Sequence, residues 1–258
     1  MIEEGTRVIL WKKDDSTLIE VDGETKKISG IGVVDTERFI GKEWGSVVEL
    51  GREEYRLFRP AIRDAPEFFE RDAQVILPRV AVKIALYCDI SNGKKVVEGG
   101  AGSGMLSTVL LNEVGPEGQV ITYELRKDFI KTAEANLERL DLTDRWRAIH
   151  GDVTEDVKEE KVDAFVVDIP EAWEAVKMAK ETLKNGGFFA AYIPSTNQLK
   201  KTVKEMRKHD FTDIKSFESL EREMVVREKG VRPSFDMLGH TGYVAVGRKT
   251  PSSEEKTS

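Results

Sequence analysis

Val96–Leu106 reads VVEGGAGSGML, and this stretch decides the fold of the 258-residue chain. Two β-branched residues and an acid lead into Gly100, Gly102 and Gly104, which alternate just before an apolar run with helical spacing. A strand that must turn sharply into a helix needs residues free to adopt left-handed backbone. The same loop lets a ligand approach the main chain, and the helix start offers it unpaired N–H groups. A tight turn without a ligand remains the competing use of this segment taken alone.

Working outward, the apolar period switches repeatedly between strand and helix. KKVVEGG predicts a short buried strand, and SGMLSTVLLNEVG a helix closed by Gly115. QVITYEL and KDFIKTAEANLERL repeat the pair. WRAIHGD, VDAFVVDIP and GGFFAAYIP give three further strands, with EAWEAVKMAKETLKNGG as the helix before the last and Asn185 with two glycines as its stop. A helix at NQLKKTVKEMRKH and strands at FTDIKSFESL and TGYVAVGRK complete the series. The expectation is an α/β domain over residues 71–249, Rossmann-like, with a doubly wound parallel sheet and helices on both faces. Residues 1–70 read as a small β-rich N-terminal domain with a helical linker, because TRVILWK, TLIEVDG, KKISGIGVV and GSVVELGREEYRLFRP are short strands separated by turn signals. The segment from Ala65 to Ile90 predicts a helix start, a break at Pro78 and a second amphipathic helix. Residues 250–258 lack apolar content and predict a disordered tail.

A dinucleotide fingerprint starting at Gly100 puts Met105 where its third glycine belongs. The pattern is instead E-x-G-x-G-x-G from Glu98 to Gly104. It resembles motif I of class I methyltransferases, whose loop holds the methionine half of S-adenosylmethionine. Glu124 ends the next strand about 20 residues on, where an acid accepts hydrogen bonds from both ribose hydroxyls. Asp152 ends the strand after that. Each acid taken singly also reads as a strand-end turn residue. Asp168 ends the VDAFVVDIP strand, at the sheet edge where ligands bind in open α/β folds. Facing an exocyclic amine, it orients a base whose ring nitrogen attacks a methyl group. Capping the helix over EAWEAVKMAKETL is its competing use.

Taken together, QVILPRVAVKIALYCDI, the glycine loop, VVDIPEAW, GGFFAAYIPSTNQ and RPSFDMLGHTGYV resemble the archaeal and bacterial tRNA adenine-N1 methyltransferases, which modify the T-loop adenosine at tRNA position 58. The likeness runs over nearly the whole chain. It implies that Gly100, Gly102, Ser103 and Gly104 line an S-adenosylmethionine loop, with Glu98 and Met105 bracketing it and Glu98 ordering it. It further implies that Glu124 holds the ribose, Asp152 the adenine, and that Gln74 covers the cofactor and target pocket. Asp168 becomes the catalytic acid, bordering the cofactor as well as the target base. Arg232, His240 and Thr241 are implied near the tRNA or a subunit contact, in a homotetramer. Some archaeal members carry His before the proline where this chain has Leu77, which leaves adenosine 57 open as a second target. Pro170 is followed here by Glu171, Ala172 and Trp173 rather than by the usual second proline.

Composition sets the outer bounds. Cys88 is the single cysteine, so no intrachain disulfide forms, and a reducing, cytoplasmic setting is expected. No signal-like core opens the chain, and no apolar run approaches the ~20 residues of a membrane span. A formal charge of −7 excludes a generic nucleic-acid coater, although cations can still gather on one face. Lys200, Lys201, Lys204, Arg207 and Lys208 do so within NQLKKTVKEMRKH, readable as a solvated face or as a phosphate-contacting one. Arg56, Arg59, Arg63, Arg71 and Arg79 are the other candidate rim. The histidines are scattered, so no metal is expected. Trp11, Trp44 and Trp146 read as core or interface, while Trp173 also stands near enough to Asp168 to stack on a base. The alternatives are a class I enzyme acting on protein, of the isoaspartyl type, and a noncatalytic tRNA-binding subunit.

Overall fold

A computed structural model describes residues 1–13, 15–70 and 76–251, which form two compact units, Met1–Glu70 and a second beginning at Arg71. Gln74, Arg71 and most of the 250–258 tail lie outside the described residues.

In the first unit β1 (Thr6–Lys12), β2 (Asp15–Val21), β3 (Thr25–Ile28), β4 (Gly32–Asp35), β5 (Val47–Leu50) and β6 (Glu53–Phe58) follow in order. A four-stranded antiparallel sheet runs β2-β1-β6-β5, and β3 pairs with β4 as a separate hairpin. Alternation along the strands turns Val8, Leu10, Val21, Val48, Leu50 and Leu57 into one apolar core around Phe39. KKISGIGVV, a single strand by its sequence, is bent into that hairpin because Gly30 and Gly32 both adopt positive φ. One helical turn, α1 (Ala65–Phe68), follows.

The second unit starts with α2 (Pro78–Tyr87), where Pro78 opens the helix rather than breaking it, since the first turn needs no N–H from that position. Then come β7 (Lys95–Gly99), α3 (Met105–Val114), β8 (Gln119–Glu124), α4 (Lys127–Glu138), β9 (Trp146–His150), β10 (Val162–Val167), α5 (Ala175–Thr182), β11 (Leu183–Ile193) and α6 (Thr196–Lys208). The chain ends with β12 (Phe211–Glu218), β13 (Met224–Arg227), β14 (Gly230–Pro233) and β15 (Tyr243–Lys249). Seven of these strands form one sheet in the order β12-β15-β11-β10-β7-β8-β9. All run parallel except β15, which is antiparallel to both its neighbours. The Rossmann-like sheet expected from the sequence is therefore present, with a small antiparallel β region ahead of it. Val96, Val97, Val120, Ile121, Phe165 and Val166 are fully buried, as a sheet covered on both faces requires.

Two local differences have physical causes. Asn185 and its glycines do not stop α5, which already ends at Thr182; they sit inside β11, where the pairing with β10 shifts register between Val162 and Ala164. Gly186, at φ +82°, carries the turn in that bulge. The β13–β14 hairpin was not anticipated, because its exposed residues show no buried alternation.

Strand β7 is the pivot of the topology. Chain order runs one way from it through β8 and β9, and the other way through β10 and β11. Ligand crevices of open α/β sheets form at the carboxyl ends of strands at such a switch point.

Candidate active site

A cavity of about 640 Å³ opens there. Its wall takes Gly100 and Gly102 from the loop after β7, Glu124 from the end of β8, and Asp152 from the turn after β9. Asp168 follows β10, Tyr192 is the last residue but one of β11, and Thr241 precedes β15. Distant sequence positions thus meet because the parallel strands deliver their carboxyl ends to one edge, where antiparallel β15 begins.

The loop is held by its neighbours. Gly100 N–H donates to the Tyr123 carbonyl at 2.9 Å, and the Asp168 N–H donates to the Gly99 carbonyl at 2.8 Å. Glu124 is nearly buried and accepts two backbone N–H groups, from Ala101 at 2.9 Å and Arg126 at 2.8 Å. Each oxygen keeps one lone pair for a further donor. Asp152 accepts the Thr154 N–H and hydroxyl on Oδ1. That is a turn contact, and it leaves Oδ2 uncommitted by these two bonds.

Asp168 lacks any such support. Among the described residues its carboxyl has no hydrogen bond, and burial pushes its pKa up to about 7. Nor does it cap α5, whose cap position is Glu174, six residues further on. A carboxyl held half-protonated in a cleft, without a structural partner, is available for chemistry. Tyr192, its neighbour on the wall, donates its hydroxyl to the Thr241 carbonyl. The Thr241 Oγ1 is buried with no partner.

Ser103, Gly104, Met105 and Glu98 stand behind this wall. The Ser103 carbonyl accepts from Asn136 Nδ2 at 2.9 Å, and Gly104 turns into α3 with its Cα side against Ala133. Met105 is buried in α3. Glu98 is fully buried and accepts the hydroxyls of Ser107 and Thr122, while its Oε1 has no partner. Burial raises its pKa to about 7 against the opposing pull of the two hydroxyls. The ionised form is thus the costly one in the fold. Stability from this group is complete below pH 4.5, declines between 4.5 and about 7, and stays reduced above. Glu98→Gln is expected to remove up to about 3 kcal/mol of that decline, so the variant gains on the native protein between pH 5 and pH 8 in denaturant unfolding. Parallel pH dependence in the two proteins would count against it.

His240 sits at the rim, its Nε2 3.1 Å from the carbonyl of the wall residue Pro194 and its Nδ1 on the Glu218 carboxylate, which raises its pKa. Arg232, on β14, lies apart from the wall with its guanidinium 4.2 Å from the Phe235 ring centroid. Gln74 is outside the described residues. Tyr192, Phe129 and Gln198, which also line the cavity, were not singled out by sequence. Tyr192 had a readable signal, since it stands near the carboxyl end of the strand beside that of Asp168. No group of His, Cys, Asp and Glu side chains is arranged to hold a metal among the described residues, and no described helix is long and apolar enough to cross a membrane.

The family model for the tRNA methyltransferase complex GCD14 subunit matches residues 69–240. The chain belongs to that family. A relative in Methanocaldococcus jannaschii, named tRNA (adenine(57)-N(1)/adenine(58)-N(1))-methyltransferase TrmI, is 36% identical over 223 residues, covering 76% of this chain and 79% of its own. Among solved structures, a SAM-dependent O-methyltransferase from Thermotoga maritima superposes with a TM-score of 0.89 at 30% identity, covering 97% of this chain and 95% of that one. The tRNA (m1A58) methyltransferase TrmI of Aquifex aeolicus gives 0.82 at 26% identity, with 97% and 99% coverage. Both structural matches cover 97% of the chain and so include the N-terminal β region that the family model leaves out.

Proposed function

We propose that this chain transfers the methyl group of S-adenosylmethionine to N1 of adenosine 58 in the tRNA T-loop, with adenosine 57 left open as a second target by Leu77. The observation that carries the reading is the shared wall. Asp168 and the pair Glu124 and Asp152 border one cavity, beneath backbone that carries no side chain at Gly100 and Gly102.

The residues fit that cofactor. A Cβ at Gly100 would lie 2.4 Å from the Asp168 carbonyl oxygen, so the loop is packed as tightly as glycine allows, while a Cβ at Gly102 would meet no atom within 4 Å among the described residues beyond its chain neighbours. The open side at Gly102 takes the methionine half. The remaining acceptor capacity of Glu124 suits vicinal hydroxyls, and Asp152 Oδ2 suits an amino group. When bound, S-adenosylmethionine supplies an electrophilic methyl on a positively charged sulfur.

Asp168 accepts a hydrogen bond from the N6 amino group of the target adenine. This fixes N1 in line with the methyl group and puts negative charge beside a ring that becomes cationic as the N1–CH3 bond forms. Attack by N1 on such a methyl group would need no prior loss of a proton, so the part left to Asp168 would be to hold N6 and offset the positive charge that the ring acquires. The carboxylate accepts from N6 more strongly than the neutral acid does, and only it places negative charge beside the ring. With its pKa raised to about 7 in the ligand-free protein, Asp168 is largely protonated below that pH, so kcat/KM should rise up to tenfold per unit below about pH 7 and level off above. Single-turnover rates against pH test this, with Asp168→Asn expected to show no such limb.

The reading extends to a cytoplasmic homotetramer, as the family resemblance implies. Its test is transfer from labelled cofactor to unmodified tRNA transcripts, with and without an A-to-G change at position 58. Label confined to adenosines 57 and 58 is the expected result. Label on an isoaspartyl peptide or a small hydroxyl compound in preference to tRNA would overturn the substrate, and tight tRNA binding without cofactor binding would favour a noncatalytic subunit.

A further inference from the structure

The charge of α6 runs against that of the chain. With a formal total of −7, the protein still places Lys200, Lys201, Lys204, Arg207 and Lys208 on this helix against Glu205 alone. Two of the five are engaged, since Lys201 Nζ lies 3.6 Å from the Trp173 ring centroid and Lys208 pairs with Glu205 at 3.0 Å. Lys200, Lys204 and Arg207 are exposed, and among the described residues no carboxylate lies within ion-pair distance of them.

These three cations border a surface groove of about 440 Å³ whose floor includes the apolar side chains of Leu199 and Val203, with Thr196 and Ser216 completing the lining. Lys200 and Lys204 are one turn apart, about 6 Å along the helix axis, and Arg207 continues the row. The helix is common to both sites but by different faces: Gln198 lines the cavity, while Thr196, Lys200, Lys204 and Arg207 line the groove. Gln198 Nε2 donates to the Pro170 carbonyl at 2.9 Å, which ties the start of α6 to the segment carrying Asp168.

We propose that this face of α6 grips the phosphodiester backbone of the RNA whose adenosine enters the cavity. The proposal rests on the tRNA reading above and adds the surface that an acidic protein needs in order to hold a polyanion. Unpaired cations with flanking hydroxyls suit phosphate oxygens, and such contacts position RNA without reading its sequence. Concentrating them on one helix at the rim gives a local attractive field that net charge conceals.

The test compares the native protein with the triple variant K200A/K204A/R207A, using unmodified tRNA. Affinity at about 0.1 M salt should fall by about thirtyfold or more, and the slope of log K against log salt should shrink by about 2 to 3, near one per lost contact. The loss should fall on KM rather than kcat, with S-adenosylmethionine affinity retained. A charge-preserving triple, K200R/K204R/R207K, should keep the salt slope. Where the first triple loses stability, Lys204→Ala alone should lower the slope by about one. Native affinity and slope in the neutralised variant overturn the proposal, as does a changed oligomeric state with unchanged tRNA affinity, which would assign the face to a protein contact. A native protein that fails to methylate tRNA sinks the substrate assignment instead, so the two failures are distinguishable.

Discussion

Asp168→Ala should lower kcat for tRNA methylation at least about a hundredfold while S-adenosylmethionine affinity stays within about threefold of native. A hundredfold corresponds to about 2.7 kcal/mol of transition-state stabilisation, the size expected when one charge-assisted hydrogen bond to a developing cation is removed. The prediction separates the two roles because the proposed cofactor contacts, Glu124, Asp152 and the glycine backbone, lie elsewhere on the wall. It also separates chemistry from folding. Among the described residues the Asp168 carboxyl has no hydrogen-bond partner to orphan, and burial makes its ionised form unfavourable, so removing it should leave the fold at least as stable at pH 8. Isothermal titration with the cofactor and single-turnover methylation of one tRNA preparation supply both numbers. An unchanged rate would reduce Asp168 to a turn residue, and the assignment of the reaction centre would go with it.

Much of this arrangement was legible in the sequence because of how parallel strands work. Each strand of the sheet is short, nearly all apolar and ends in a marked residue, so VVEGG, VITYE and FVVD announce both the strand and the side chain it delivers to the edge. Glu124, Asp152 and Asp168 could be placed on one wall for that reason. What was not legible is depth within the loop. E-x-G-x-G-x-G treats its members alike, yet Gly100 and Gly102 face the cavity while Ser103, Gly104 and Met105 turn behind it into α3. Sequence also could not distinguish the carboxylates. Glu124 is satisfied by two backbone donors and Asp168 by none, a difference set by loops that arrive from elsewhere in the chain. Tyr192 and the β13–β14 hairpin escaped for opposite reasons. The first looked like one more aromatic in a buried strand, and the second showed no burial at all.

The depth of the loop has its own test. Gly100→Ala should cost more than Gly102→Ala, although both glycines have positive φ, at +89° and +50°. An L-residue at Gly102 enters the left-handed helical region that side chains occupy at a cost of about 1 to 2 kcal/mol, and its methyl meets no protein atom within 4 Å. Its penalty should appear in the cofactor affinity, because the methyl projects at the wall where the methionine half would lie. At Gly100 the new Cβ would stand 2.4 Å from the Asp168 carbonyl oxygen and 3.2 Å from its carbonyl carbon. Those are backbone atoms, and no change of rotamer removes them. Relief requires the main chain carrying Asp168 to move, which strains the hydrogen bond from the Asp168 N–H to Gly99. A displacement near 1 Å at a reacting group costs on the order of a hundredfold in rate. Gly100→Ala should therefore lose at least about a hundredfold in kcat together with cofactor affinity and several degrees of Tm, whereas Gly102→Ala should lose affinity but keep most of kcat at saturation. Equal effects of the two substitutions on kcat would mean that the loop does not press against the reaction centre, and the coupling between cofactor wall and catalytic acid would have to be abandoned.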